Sequence, residues 1–138
     1  SLGANAEEIK HIEEELGILL PEAYMDFLSE CGSCNYGDVY INGIYKEKNS
    51  ISYPVVELTK QLREDLHLSE DFIVLHYEVD EFLTLYKVSN KVRLKDAEVF
   101  EAEVYCNDKG NFEIDKPMPI FDSFEEYFED FLDLAEED

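Results

Sequence analysis

Four stretches of the chain repeat their apolar residues with a helical period, and five shorter ones alternate or run together as strands do. In the first stretch Ile9, Ile12 and Leu16 stand at i, i+3 and i+7. Asn5 and Glu8 precede it at capping-box spacing, and Gly17 follows where a left-handed residue ends a helix. The second stretch opens at Pro21, whose fixed φ and missing donor suit a first helical turn. Tyr24, Phe27, Leu28 and Cys31 then form one stripe, and Gly32 stops it. Pro54 opens a third helix with Val55, Leu58, Leu62 and Leu66 on its apolar side, and residues 57–61 read as its exposed part. Ser123 and Glu126 form a second capping box before the wide stripe Phe124, Tyr127, Phe128, Phe131, Leu132 and Ala135, which runs to about Glu136.

The strand-like runs fill the middle. A glycine-bearing loop leads into a short strand at 39–41, and residues 46–53 carry no period and read as loop. Residues 72–75 are continuously apolar, as in a central strand. Residues 82–88 place Phe82, Thr84, Tyr86 and Val88 on one face. Phe100, Ala102, Val104 and Cys106 alternate with Glu101, Glu103 and Tyr105, the pattern of a half-buried strand with an acidic outer face. Residues 107–111 have hairpin-turn chemistry, and Phe112 to Ile114 form the return strand, ended by Pro117 and Pro119. Helices lead, strands follow and a helix closes. This order predicts an α+β fold: a single domain over residues 1–138, with a mostly antiparallel sheet of about five strands. The N-terminal helix pair, the middle helix and the C-terminal helix pack on that sheet.

Composition supports one core. At 138 residues and 45% apolar content the chain needs neither metal nor disulfides to fold. Three cysteines, an odd count, argue against a disulfide framework and fit a reducing cytoplasm. The first residues carry neither a cationic start nor an apolar run, so no secretory leader is expected, and no stretch has the length of a membrane span.

Charge changes the picture most. Eleven basic residues face 34 acidic ones, a net charge of −23, and residues 101–138 carry 14 acids against two bases. Such a balance excludes nucleic acid and anionic membrane as partners, because phosphate binding needs Lys and Arg. Two readings stay open: the acids keep the protein soluble, or they meet a cationic partner.

Motifs of catalysis are missing from the sequence. It holds no Walker loop, no G-x-S-x-G, no H-E-x-x-H and no dinucleotide fingerprint, and His11, His67 and His76 are scattered. With 34 acids, chance carboxylate pairs are expected and carry no catalytic information. Cys31-Gly32-Ser33-Cys34 is a C-x-x-C, but Cys31 ends a helix, where the dipole disfavours a thiolate. A buried Cys31 and an incidental Cys34 are the expectation, with no metal and no cofactor. Residues 78–81 and 107–110 are acidic but lack the ligand spacing of a calcium loop, and they read as turns. Tyr36, Tyr40, Tyr45 and Tyr53 cluster beside Asp38 and Asn42. Tyrosines with nearby carboxylates suit a protein interface, and they serve equally as core or sheet-face residues.

Leu20-Pro21-x-x-Tyr24-x-x-Phe27-Leu28-x-x-x-Gly32, a glycine-containing loop and then Ile41-x-Gly43 resemble the opening signature of the SUKH superfamily, the family of the fungal cell-wall-assembly regulators Smi and Knr. The pair of strands at 72–75 and 82–88 and the closing segment 123–128 are similar to it too, so the resemblance extends from about Ile9 onward. Ser33 and Cys34 stand where the family often has a second glycine. The resemblance implies an immunity protein of a bacterial polymorphic toxin system, or alternatively a non-catalytic regulatory scaffold like the fungal members. Combined with the charge, it leads to the expectation of a non-enzymatic antitoxin binding a basic toxin domain, such as a nuclease, whose cationic cleft it would occlude. The expected contact surface is Tyr36, Asp38, Tyr40 and Asn42, joined by Asp80, Glu81, Glu101 and Glu103; these are acids, tyrosines and an asparagine on loops or alternating strand faces.

Overall fold

The computed structural model describes residues 3–136. Helix α1 (Ala6–Leu16) starts at the capping box expected from sequence: the Asn5 side chain accepts from the Glu8 amide at 2.9 Å, and Glu8 accepts from the Asn5 amide at 2.8 Å. Gly17 ends it at φ 67°. Helix α2 (Glu22–Glu30) follows Pro21, which stands at the cap position and offers no side-chain acceptor. The first-turn amides of Glu22 and Ala23 donate instead to the carbonyls of Leu94 and Lys95, both at 2.9 Å. The basic segment 89–95, which holds Lys91, Arg93 and Lys95, thus closes the orphan donors of this helix. Its Arg93 also pairs with Glu13 at 2.6 Å and donates to the Leu20 carbonyl at 2.9 Å.

Two small hairpins follow α2. Strands β1 (Cys34–Tyr36) and β2 (Val39–Ile41) pair antiparallel, as do β3 (Tyr45–Glu47) and β4 (Ser50–Ser52). The sequence pattern made β1, β3 and β4 part of loops; strands of three residues are too short to display a period. Helix α3 (Pro54–Asp65) begins at its proline as expected. Thr59, inside the stretch read as exposed, is fully buried, and its hydroxyl accepts from the Val74 amide at 3.0 Å.

The main sheet has five strands: β5 (Phe72–Glu78), β6 (Phe82–Lys87), β7 (Val99–Cys106), β8 (Phe112–Ile114) and β9 (Met118–Phe121). The order is β5-β6-β7, with β8 and β9 sharing the far edge of β7, and every pairing is antiparallel. β5 is therefore an edge strand and not the central one. Its apolar run reflects cover on both faces and along its free edge, where the Asn42 amide donates to the Leu75 carbonyl at 2.7 Å. Pro119 does not end strand structure either. It lies within β9 at the sheet margin, the place where a residue without a donor costs no ladder bond.

Register divides the sheet residues between two clusters. Ile73, Leu75, Tyr86, Val88 and Val99 join α1, α2, the start of α3 and helix α4 (Phe124–Glu136) on one face. Val74, Leu83, Leu85, Ala102 and Val104 pack with Leu62, Leu66 and Leu68 on the other. Both faces being covered, β6 is buried at Leu83, Thr84, Leu85 and Tyr86 alike. The alternation expected for β7 holds at Ala102 and Val104, whereas Phe100 is half-buried and Cys106 is exposed. Within α2 and α4, Phe27, Leu28, Phe124 and Phe131 are core, and Phe27 meets Phe124 and Phe128 edge-on at 5.2 Å. Leu132, assigned to the α4 stripe from its spacing, is exposed. Ser123 accepts from the Glu126 amide at 3.1 Å, but Glu126 reaches back to the Asp122 amide at 3.3 Å, one residue earlier than a regular capping box.

Candidate functional site

The glycines of the opening signature set the backbone that carries β2. A Cβ on Gly43 would stand 1.9 Å from the Gly32 carbonyl oxygen, so the two backbone segments touch where only glycine fits. The Ile44 amide donates to that same oxygen at 2.9 Å. Tyr24 is fully buried, and its hydroxyl donates to the Asn42 carbonyl at 2.6 Å. Burial pushes the Tyr24 hydroxyl far above the ordinary tyrosine value, so it keeps the proton it donates.

β2 is thereby held against the free edge of β5. The Asn42 side chain donates to the Val74 carbonyl at 3.2 Å. The Tyr40 hydroxyl donates to the Tyr77 carbonyl and accepts from the Tyr77 amide, both at 3.2 Å. The Tyr40 ring lies 4.3 Å from the ring of His76. His76 is buried, with Nδ1 3.2 Å from the Tyr40 carbonyl oxygen and Nε2 3.1 Å from Glu78 Oε2.

Most of the residues expected at a contact surface come together around this point. Asp80 and Glu81 occupy the β5–β6 turn, both exposed, with Asp80 in the left-handed region at φ 62°. The Glu81 carbonyl accepts from the Val104 amide at 2.8 Å. Glu103 stands opposite Phe82 and Glu101 opposite Thr84, on the face that α4 covers further along. Both glutamates are exposed, and Tyr40 is half-buried. Tyr36 and Asp38 are exposed on the β1–β2 hairpin. Asn42 differs: it is 6% exposed, and its polar groups are spent on Val74, Leu75 and Tyr24, so it supports the surface from beneath.

A cleft of about 170 Å³ opens in the middle of this region. Val39, Phe82, Phe131 and Leu134 give it apolar walls, His76 and Thr84 line it from the sheet, and Glu78 and Asp130 are its acids. Val39 is 50% exposed and Leu134 56%. Tyr127 also lines it, and burial, with Tyr40, Asp130 and Cys34 nearby, raises its hydroxyl well above the ordinary value. The sequence pattern did not find this cleft. Its available signal was Leu134, which continues the helical spacing of Tyr127 and Phe131 at i+7 and i+3 and stands among acids near the end of α4.

The cysteines stand apart from this chemistry. Cys31 and Cys34 are half-buried free thiols and Cys106 is an exposed one, so Cys31 is less enclosed than its place in the α2 stripe suggested. Burial raises the Cys31 thiol, helped by Glu30, and burial raises Cys34, helped by Cys31. Among the described residues no group of three or more His, Cys, Asp or Glu side chains is placed to hold a metal ion. No helix among them is long and apolar enough to cross a membrane.

A family model described as SMI1-KNR4 cell-wall, of the SUKH group, matches residues 2–133. The chain belongs to the SUKH family. The match spans nearly the whole chain, from the segment before α1 into α4, and so covers both the Leu20–Gly43 signature and the acidic end of the sheet. No curated protein matches the chain.

Proposed function

We propose that this SUKH protein is an immunity protein that binds a cationic toxin domain and blocks it by occlusion, without catalysis. The carrying observation is the concentration of exposed acids and half-exposed aromatics at one end of the sheet, on a chain of net charge −23. Family membership supports the reading, since SUKH proteins are often immunity proteins. A nuclease is the toxin class favoured by the charge: its phosphate-binding cleft must be basic, and an acidic surface is steered toward such a cleft and competes with its substrate. The contact groups in this reading are Tyr36, Asp38, Tyr40, Asp80, Glu81, Glu101 and Glu103, with Asn42 holding the strand that presents them.

The test is co-expression with a candidate toxin from a neighbouring gene, scored by survival. Survival with the parent chain, and its loss with the double change Glu101→Gln and Glu103→Gln at unchanged melting temperature, is the expected result. Association measured by stopped flow should slow several-fold from low to physiological salt, with dissociation little changed. Binding without rescue would favour the alternative, a regulatory scaffold that engages other proteins.

A further inference from the structure

We propose that the cleft between α4 and the ends of β2, β5 and β6 is a socket for one arginine side chain of the partner protein. The proposal rests on the reading of this chain as a binder of a cationic protein, and it names the group that such a protein inserts. Size comes first. At about 170 Å³ the cleft lies below the roughly 300–1,000 Å³ of small-molecule sites, yet it can admit a single side chain. Chemistry comes next. The walls Val39, Phe82 and Leu134 suit an aliphatic stem, and Glu78 and Asp130 offer carboxylate oxygens to a planar, multiply donating head. Aromatic rings at Phe82, Phe131 and Tyr127 favour guanidinium over ammonium, because guanidinium is less strongly hydrated and stacks on rings.

The state of α4 without a partner points the same way. Glu129, Asp130, Asp133 and Glu136 fall in its C-terminal part, and the last turn contains no base. The C-terminal end of a helix carries partial negative charge, so these carboxylates repel the carbonyls they stand beside as well as one another. A cation seated at Asp130 relieves that repulsion. Leu134 remains 56% exposed at the wall of the cleft, an apolar residue set among charges, as interface residues often are.

The probe is N-acetyl-arginine amide, titrated into the full chain and followed by backbone and methyl NMR, with the lysine and citrulline counterparts alongside. Saturable shifts centred on Val39, Phe82 and Leu134 are expected with arginine, weaker ones with lysine and none with citrulline. Asp130→Asn should weaken arginine binding about tenfold, the value of one charge-assisted hydrogen bond. Leu134→Ala should weaken it too. Both positions are exposed, so melting temperatures should hold. The socket is overturned by shifts spread evenly over the acidic surface, by no saturable shift, by equal responses to lysine and arginine, or by an Asp130→Asn chain that binds as the parent does. The two readings fail separately. Toxin rescue without arginine binding removes the socket and leaves immunity standing; saturable arginine binding without rescue of any toxin does the reverse.

Discussion

The Tyr24 hydroxyl and the Asn42 carbonyl oxygen are 2.6 Å apart in the core, a bond that fastens α2 to the segment carrying the aromatic side of the candidate surface. Tyr24→Phe keeps the ring contacts to Phe27, Tyr86 and Phe124 and removes only this donor. The Asn42 carbonyl is then left buried and short of a partner, at a cost of about 1–3 kcal/mol. Urea unfolding should show that loss with an unchanged m-value. A Tyr24→Phe chain as stable as the parent would mean that the bond contributes nothing beyond what water supplies in the unfolded chain.

Gly43 separates space from backbone conformation. Gly43→Ala places a methyl 1.9 Å from the Gly32 carbonyl oxygen and 2.9 Å from Leu28 Cδ2, and backbone cannot yield as a flexible side chain can. Gly37 at φ 60° has nothing within 4 Å, so Gly37→Ala meets only the left-handed strain, about 1–2 kcal/mol. The expected outcome is that the Gly37→Ala chain melts slightly below the parent, whereas the Gly43→Ala chain melts far below it or fails to fold. Equal effects would show that the contact of Gly43 with Gly32 is not tight in solution.

Local signals were legible in the sequence and relational ones were not. The α1 capping box, the stripes of α1 and α2, and the proline that opens α3 depend on neighbours a turn away, so spacing sufficed to find them. β5 looked central because an apolar run records burial without saying what buries it; here the Asn42 segment covers the edge in place of a strand. Glu101 and Glu103 were legible by alternation, since the pleat puts them opposite buried Ala102. Asn42 was expected at the surface because it is polar and follows the short strand at 39–41, while its side-chain amide is needed 32 residues away at Val74. The cleft needed the direction of α4 over the sheet, which no local pattern contains.

Asp96 illustrates a cap of that distant kind. Its Oδ1 accepts from the Tyr86 hydroxyl at 2.7 Å and the Phe124 amide at 2.8 Å, and Oδ2 accepts from the Glu125 amide at 3.3 Å. One carboxylate thus satisfies a buried phenol and two first-turn donors of α4. Asp96→Ala removes the cap, worth about 0.5–2 kcal/mol, and orphans the Tyr86 hydroxyl, about 1–3 kcal/mol more. Asp96→Asn keeps an acceptor oxygen and should fall between Asp96→Ala and the parent in thermal unfolding. Equal stability of the two variants would show that the acceptor is not what matters at this position.

Glu8 links α1 to β3 through a 2.6 Å ion pair with Lys46, and the two side chains are 18% and 23% exposed. Burial pushes the Glu8 carboxyl up, but the hydrogen bond from Lys46, the Asn5 amide and the Lys46 charge outweigh it, leaving the group below its ordinary value of 4.5. A carboxyl held lower in the folded chain than in the unfolded one contributes stability that is present above the unfolded value. That contribution is lost as pH falls through the folded value. Glu8→Gln keeps a side chain able to accept from the Asn5 amide and removes the charge. Acid also relieves the repulsion of a chain of net charge −23, which complicates the stability of either protein alone. The difference between parent and variant largely cancels that background. It should stay flat from neutral pH down to about 5 and then shrink as Glu8 takes up its proton. Chemical unfolding of both chains across this range measures it, and a gap that persists undiminished at pH well below 4.5 would assign the effect of Glu8 to shape instead of charge.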